Sequence, residues 1–443
     1  MISSYYQQRS KCSSNCTSFS CAYFGGKKTR TASFNRQSFK IKFMKKKMGA
    51  ATCIVHAGRN TKEQGWMVNP PIYQSSTIAF PTLEDLLKAE KGYSNNDLVK
   101  PYELKYGRYG TQTNFALEKA IAEIEGGYNT FVTSSGAAAV STALVAYLQK
   151  GDHLLMVDNV YSPTRGFCDK FLKKFGVETT YYDPLIGAGI EKLIQKNTKV
   201  IFMESPGSVS FEVQDVPAIC KVAKKHKITS IIDNSWASGI YFKPFDHGAD
   251  VSVIAVTKYL NGHSDVMMGA ITIREKKDFL TMYQAFRYMS VNAAPFSSYM
   301  AQRGLRTAKI RMDHIEKSAL EIAKWLEKKP EVVKVLYPAL PSSPGHKLWK
   351  RDFTGAAGVF TFVLDKKYSN SALGKMLNDL HYYVMGYSWG GYESLILPVD
   401  ATEIRTATKW PYSNNTCLRL SIGLEDVEDL KDDLEAGFKR LKK

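Results

Sequence analysis

The sequence predicts an α/β protein: a large unit with a mostly parallel, doubly covered sheet, then a smaller C-terminal α+β unit. Two observations carry this. Between Thr130 and Lys258, short apolar runs, many of them β-branched, alternate with helical stretches of about 10–15 residues, the pattern of a parallel sheet with helices on both faces. Beyond about Leu305 a long helical pattern opens a second region.

The elements follow in order. TFVTSS (130–135) reads as a strand, and Gly136 turns the chain into the Ala-rich helix AAAVSTALVAYLQ. DHLLMVDN is a strand, TRGFCDKFLKKFG (164–176) a helix closed by Gly176, and VETTYYD another strand. KVIFMESP is an apolar run stopped by proline. VPAICKVAKKHK is an amphipathic helix, ITSIIDN a buried strand, and DVSVIAVTK (250–258) a further strand. The second region holds IRMDHIEKSALEIAKWLEKK, EVVKVLYP, GVFTFVLD, SALGKMLNDL, CLRLSIG and a final helix, EDVEDLKDDLEAGFKRL. Residues 49–108 show weaker periodicity and carry Pro70, Pro71, Pro81 and Pro101, as expected of an extended arm rather than a core layer. The expected organisation is therefore an extension (1–48), an arm (49–108), a first domain (109–304) and a C-terminal domain (305–443).

A chain of 443 residues is too long for one ordinary core. With 44% apolar and 23% charged residues it has the composition of a soluble globular protein. No stretch approaches 18 apolar residues, which excludes a transmembrane helix. The seven cysteines do not make a disulfide scaffold, and Cys53, Cys168, Cys220 and Cys417 show no paired metal spacing. The net charge is +18, but residues 1–48 hold 11 of the 60 Lys/Arg and none of the 42 Asp/Glu, leaving +7 for the rest. Charge alone therefore gives no reason to expect nucleic-acid binding by the body of the protein.

Residues 1–48 are Ser-rich, basic and free of acid, with no apolar core of the kind a secretory signal needs. Three readings stay open: an organelle transit peptide, translation starting at Met44 or Met48, or a disordered basic tail. Cys12, Cys16 and Cys21 match no standard metal spacing. The expected location is the cytoplasm, or an organelle if the segment is a transit peptide.

In open α/β sheets ligands bind beyond the carboxyl ends of the strands. Ser135-Gly136, Tyr161, Glu204, Asp233 and Lys258 stand at those ends. The strand–Gly136–helix junction offers either an anion site or a tight packing turn, and it lacks both GxGxxG and a Walker lysine. Asp233 ends a buried strand, where a carboxylate needs a partner. Lys258 ends an apolar run, where a lysine either snorkels to solvent or is a placed amine that desolvation makes a nucleophile for carbonyl groups. Pyridoxal phosphate chemistry needs a lysine, a carboxylate for the pyridine nitrogen and a phosphate cradle. Asp233 and Lys258, 25 residues apart, supply the first two, and Gly136 with Thr257 are candidates for the third.

At these residues the sequence resembles the Cys/Met-metabolism family of pyridoxal-phosphate enzymes, and within it the bacterial-type cystathionine β-lyases. The motifs are SSGAAAV (134–140), ESPGS (204–208), IIDNSWA (231–237), TKYLNGHSD (257–265), RTAKIRM (306–312), YSWGGYESL (387–395) and LRLSIGLED (418–426). The resemblance runs from about Thr52 to Leu441 and implies a fold-type I transferase-like architecture. It also implies a set of roles. Lys258 holds the cofactor and then moves the α-proton; Asp233 pairs with the pyridine nitrogen. Tyr161 stacks on the ring. The N–H groups of Gly136 and Ala137 and the Thr257 hydroxyl bind the phosphate. Tyr106 and Arg108 reach the phosphate site of a neighbouring subunit, Tyr106 also touching substrate. Arg419 clamps the substrate carboxylate, while Ser388 and Trp389 shape the same pocket.

The chain departs from the common family pattern at four places. Ala137 replaces a frequent Met and leaves the backbone N–H unaffected, while Ala255 removes a possible phosphate hydroxyl. Gly207-Ser208 stand where γ-acting members usually carry Asn, and Trp389 stands where they usually have Leu. The last two favour β-elimination of L-cystathionine to homocysteine, pyruvate and ammonia, in methionine biosynthesis. The alternatives are a γ-acting relative (cystathionine γ-lyase, γ-synthase or methionine γ-lyase) and a cofactor-binding scaffold without turnover. The expected assembly is a homotetramer of two dimers, acting on a small amino acid, with no nucleic-acid, membrane or metal partner.

Overall fold

The computed structural model describes residues 48–94 and 99–442; the basic segment and its three cysteines lie outside the described residues. Strands β1 (Asn129–Thr133), β2 (His153–Val157), β3 (Glu178–Tyr182), β4 (Thr198–Glu204), β5 (Thr229–Asp233), β6 (Val251–Ile254) and β7 (Gly269–Ile273) form one sheet in the order β1-β7-β6-β5-β4-β2-β3. The β3, β2, β4, β5 and β6 pairings are parallel; only β7 runs against both its neighbours. Strands β1, β2, β6 and β7 are buried along their whole length, as helices on both faces require. This is the mostly parallel α/β architecture the sequence predicts.

Local chemistry sets the helix boundaries. Ser135 starts the helix Gly136–Tyr147, its side chain accepting the Ala138 N–H. Thr111 and Asn114 form a capping box at the head of Gln112–Glu125, which ends on left-handed Gly126. Asp215 caps Val216–Lys225, where Pro217 sits in the first turn.

Strands β8 (Val332–Leu336), β9 (Val359–Leu364), β10 (Leu395–Val399) and β11 (Cys417–Ser421) form a second sheet, β10-β11-β9-β8, antiparallel throughout. One apolar cluster runs through residues of both sheets and the helix Ala308–Leu326, from Phe202 and Ile232 to Met312, Phe360 and Leu420. Truncating a fully buried aromatic such as Phe202 or Phe360 to Ala leaves a cavity costing about 3–5 kcal/mol.

Several expectations are corrected. Strand β6 stops at Ile254, so Lys258 lies four residues beyond it, in a turn. The ladder ends because the Ala255 N–H donates to Ser235 Oγ (2.7 Å) and the Thr257 N–H to Met268 O. The expected helix 164–176 is a helix Ser162–Gly166, a π turn Phe167–Phe171 and a 3-10 turn Leu172–Phe175. The arm is not wholly extended: it contains the helices Ala50–His56 and Leu83–Ser94. No element was expected at β7, at β10 or at the helices Phe279–Met289, Pro295–Arg306 and His346–Asp352. Pro398 interrupts the β10 run, which is tolerated because β10 is an edge strand.

Candidate active site

The parallel strands end side by side, and Glu204 of β4 pairs in register with Asp233 of β5. Beyond these ends opens a cavity of about 390 Å³. Nine of the eleven residues to which the resemblance gave a role line it: Gly136, Ala137, Tyr161, Asp233, Thr257, Lys258, Ser388, Trp389 and Arg419.

Asp233 and Glu204 open onto the cavity but are otherwise surrounded by protein. Burial pushes the Asp233 carboxyl up, opposed by its hydrogen bond from the Ser235 N–H (2.9 Å) and by Lys258. Glu204 is pushed up further, by burial and then by Asp233, against the N–H groups of Tyr161 (2.7 Å) and Ser208. Each carboxyl thus disfavours ionisation of the other.

Lys258 faces them. Its Nζ donates to Ser388 Oγ (2.7 Å) and lies 5.1 Å from the centroid of the Trp389 ring. Burial, and then the neighbouring Arg419, lower its amine to about 8, with Asp233 opposing. A substantial fraction is therefore neutral near physiological pH, the form that attacks carbonyl groups and takes protons.

Gly136 and Ala137 open their helix at the cavity wall. The next two N–H groups, of Ala138 and Ala139, are taken by Ser135 Oγ (3.1 Å) and Ser135 O (3.0 Å). Those of Gly136 and Ala137 have no acceptor among the described residues and stand free at the positive end of the helix dipole, the arrangement an anion needs. Packing also constrains Gly136: a Cβ there would lie 2.8 Å from Ala255 Cβ. The packing reading of this glycine thus has a direct structural basis. The Thr257 hydroxyl accepts from Met268 N (2.9 Å) and donates to Met268 O (3.1 Å), which ties the Lys258 turn to the start of β7.

The opposite wall comes from the second sheet. Arg419 on β11 donates to Ser388 O (2.9 Å), and Ser388 holds a positive φ of 107°, strained for a residue with a side chain. Ser388 thus binds Lys258 with its hydroxyl and Arg419 with its carbonyl. Tyr161 is half-exposed above the floor, its phenol pushed up by burial and Glu204.

Tyr106 and Arg108 do not line this cavity. Tyr106 precedes the turn Gly107–Tyr109 and Arg108 lies within it, donating to Arg287 O, Ser290 Oγ and Tyr109 OH at 3.0–3.2 Å. Glu204 is a site residue to which the sequence reading gave no role; its place at the end of β4, matching Asp233 on β5, was the available signal. No cluster of His, Cys, Asp and Glu suited to a metal occurs among the described residues.

Two free N–H groups at a helix start, an enclosed carboxyl and a lysine of lowered basicity on one cavity fit pyridoxal phosphate. The Cys/Met metabolism PLP-dependent enzyme family matches residues 51–439. A cystathionine beta-lyase of Escherichia coli is 44% identical over 395 residues, 88% of this chain and 98% of the relative. An L-alanine/L-glutamate racemase of Wolbachia pipientis is 43% identical, over 89% of this chain and 98% of its own length. The crystal structure of a cystathionine gamma synthase from Xanthomonas oryzae superposes with a TM-score of 0.80 at 30% identity, covering 90% of this chain and 99% of that one. The chain belongs to the Cys/Met metabolism family of pyridoxal-phosphate-dependent enzymes.

Proposed function

We propose that the protein is a cystathionine β-lyase. The observation that carries this is Lys258: a partly neutral amine held by Ser388 between the carboxyl floor and Arg419. Bound pyridoxal phosphate supplies an electron sink for the carbanion formed at the substrate α-carbon. The chain's residues do the rest. Gly136 and Ala137 would bind the phosphate, Asp233 would pair with the pyridine nitrogen, and Tyr161 would stack on the ring. Thr257 contributes by fixing the lysine turn. Arg419 takes the substrate carboxylate in a charge-assisted fork. Lys258 removes the α-proton, the β-carbon–sulfur bond breaks, and the thiolate takes a proton from Lys258 or from Tyr161, whose raised phenol keeps its hydrogen. The released aminoacrylate takes up one water, so the products are homocysteine, pyruvate and ammonia.

The β branch is supported by the 44% identical lyase and by Trp389, whose ring stands over the Lys258 amine. Two other readings have a specific basis. A γ-acting enzyme shares the fold, and the racemase relative needs the same α-proton transfer. Incubation with L-cystathionine and, separately, with L-alanine distinguishes a β-lyase, a γ-lyase and a racemase. Pyruvate with homocysteine is expected; 2-oxobutyrate with cysteine marks a γ-lyase, and inversion of alanine without elimination of cystathionine marks a racemase.

The proposed assembly is a homotetramer of two dimers working in the cytoplasm, with residues 109–304 as cofactor domain and 305–443 as substrate domain. Tyr106 and Arg108 would complete a neighbouring subunit's cavity, consistent with their distance from their own. The exposed Trp66, Met67 and Val68 of the arm supply apolar surface for that contact. No helix among the described residues is long and apolar enough to cross a membrane.

A further inference from the structure

Behind the Tyr161 wall lies a buried group of four charges that the chemistry above does not use. Asp158, just past β2 and three residues before Tyr161, is fully buried. Its carboxylate accepts from Arg165 (2.7 Å), from the N–H groups of Thr406, Ala407 and Thr408 (2.9–3.2 Å), and pairs with Arg405 Nε at 3.3 Å. Burial works against the charged form, but these donors outweigh it and hold Asp158 below the usual carboxylate range. Arg405, its side chain 3% exposed, turns its other end to Glu212 (2.7 Å) and also donates to Thr408 Oγ1.

Three separate stretches of chain meet here. The first is the turn 158–161. The second is 204–212: Glu212 accepts from Asn159 and Ser210, and the Ser208 N–H donates to Asn159 O (2.8 Å). Gly207, on the cavity wall, packs so closely on the Asn159 amide that a Cβ has no room. The third is the connection 400–416 between β10 and β11, which leads into Arg419. Arg165 and Arg405 balance Asp158 and Glu212, so the group is neutral as a whole and fully directional.

We propose that Asp158 and Arg405 are positioning residues that set Tyr161 and the Gly207–Ser208 wall by clamping them to the connection that precedes Arg419. The proposal rests on the reading of this cavity as the reaction site. The clamp acts through Tyr161, whose N–H is already fixed to Glu204. Loosening it shifts the ring relative to the cofactor, and displacements of about 1 Å cost on the order of 10²-fold in rate.

The test is a double-mutant cycle on the holoenzyme with Arg405→Gln, Tyr161→Ala and both together. The readouts are kcat for L-cystathionine, the visible circular dichroism of bound cofactor, and the cofactor dissociation constant. Arg405→Gln alone is expected to lower kcat on the order of 10²-fold and to change the visible dichroism, with Arg405→Lys restoring part of both. Added to Tyr161→Ala, it should cost less than about threefold more, because residues acting through one another are not additive. Full additivity overturns the proposal, as does unchanged dichroism with only a loss of thermal stability. If Arg405→Gln does not fold, Glu212→Gln replaces it, with the same non-additivity expected and additivity again contrary. The dichroism and cofactor constants do not depend on the substrate, so they decide the clamp even if wild-type protein fails to cleave cystathionine.

Discussion

The two sheets meet one cavity with opposite means. The parallel sheet presents strand ends and a helix start: Glu204, Asp233, the Gly136–Ala137 cradle and, four residues past β6, Lys258. These positions follow from topology, since parallel strands bring their carboxyl ends to one edge. The antiparallel sheet presents a side chain from the middle of a strand, Arg419, and a strained loop residue, Ser388. On the proposed reading, the first sheet makes a place for the cofactor and the second recognises what reacts with it. Ser388, bonded to both Lys258 and Arg419, is the seam.

Breaking the first side at its amine has the largest expected effect. Lys258→Ala should lower kcat by about 10³-fold or more and remove the visible band of covalently held cofactor; measurable turnover with the band intact would remove Lys258 from its role. Arg108→Ala comes next. It leaves the cavity of its own subunit untouched and should weaken cofactor retention about tenfold through the neighbour, as loss of one charged contact does, measured by equilibrium dialysis; unchanged retention by an intact dimer separates Arg108 from the site.

Gly136→Ala is subtler. The added methyl meets Ala255 at 2.8 Å, and such overpacking costs about 1–3 kcal/mol. Cofactor affinity should fall about tenfold, and Ala255→Gly in the same chain should recover it.

The smallest effect is a pH dependence. In protein freed of cofactor, Lys258 titrates at about 8, against an ordinary value of 10.5 when unfolded. Between these values the unfolded chain binds the extra proton, so this group's contribution to stability rises with pH across that window and is flat below it. The thermal midpoint of wild type relative to Lys258→Met should climb from pH 8 to 10. A constant difference would mean that the amine is not desolvated.

Much of the cofactor side was legible because its signals are local. Apolar β-branched runs end on Asp233 and Glu204, and a glycine turns β1 into a helix. The misses have physical causes. The turn carrying Lys258 leaves the ladder through the Ser235 and Met268 hydrogen bonds, which join distant segments and leave no local pattern. The run LILPV reads poorly as a strand because proline is tolerated only at the sheet edge. On the substrate side, Arg419 within CLRLSIG has no local reason to face a cavity; its role came from family resemblance, and its place only from the fold. The clamp of Asp158 on Arg405 joins residues 247 positions apart, beyond any periodicity.

The division of labour between the sheets is tested most directly by measuring the cofactor dissociation constant of Asp233→Ala and Arg419→Ala side by side, together with KM for L-cystathionine. Asp233→Ala should loosen the cofactor, whereas Arg419→Ala should hold it as wild type does and raise KM on the order of 10²-fold, the cost of a lost charge-assisted fork. Equal loosening of the cofactor by both substitutions, or an unchanged KM in Arg419→Ala, would contradict the account.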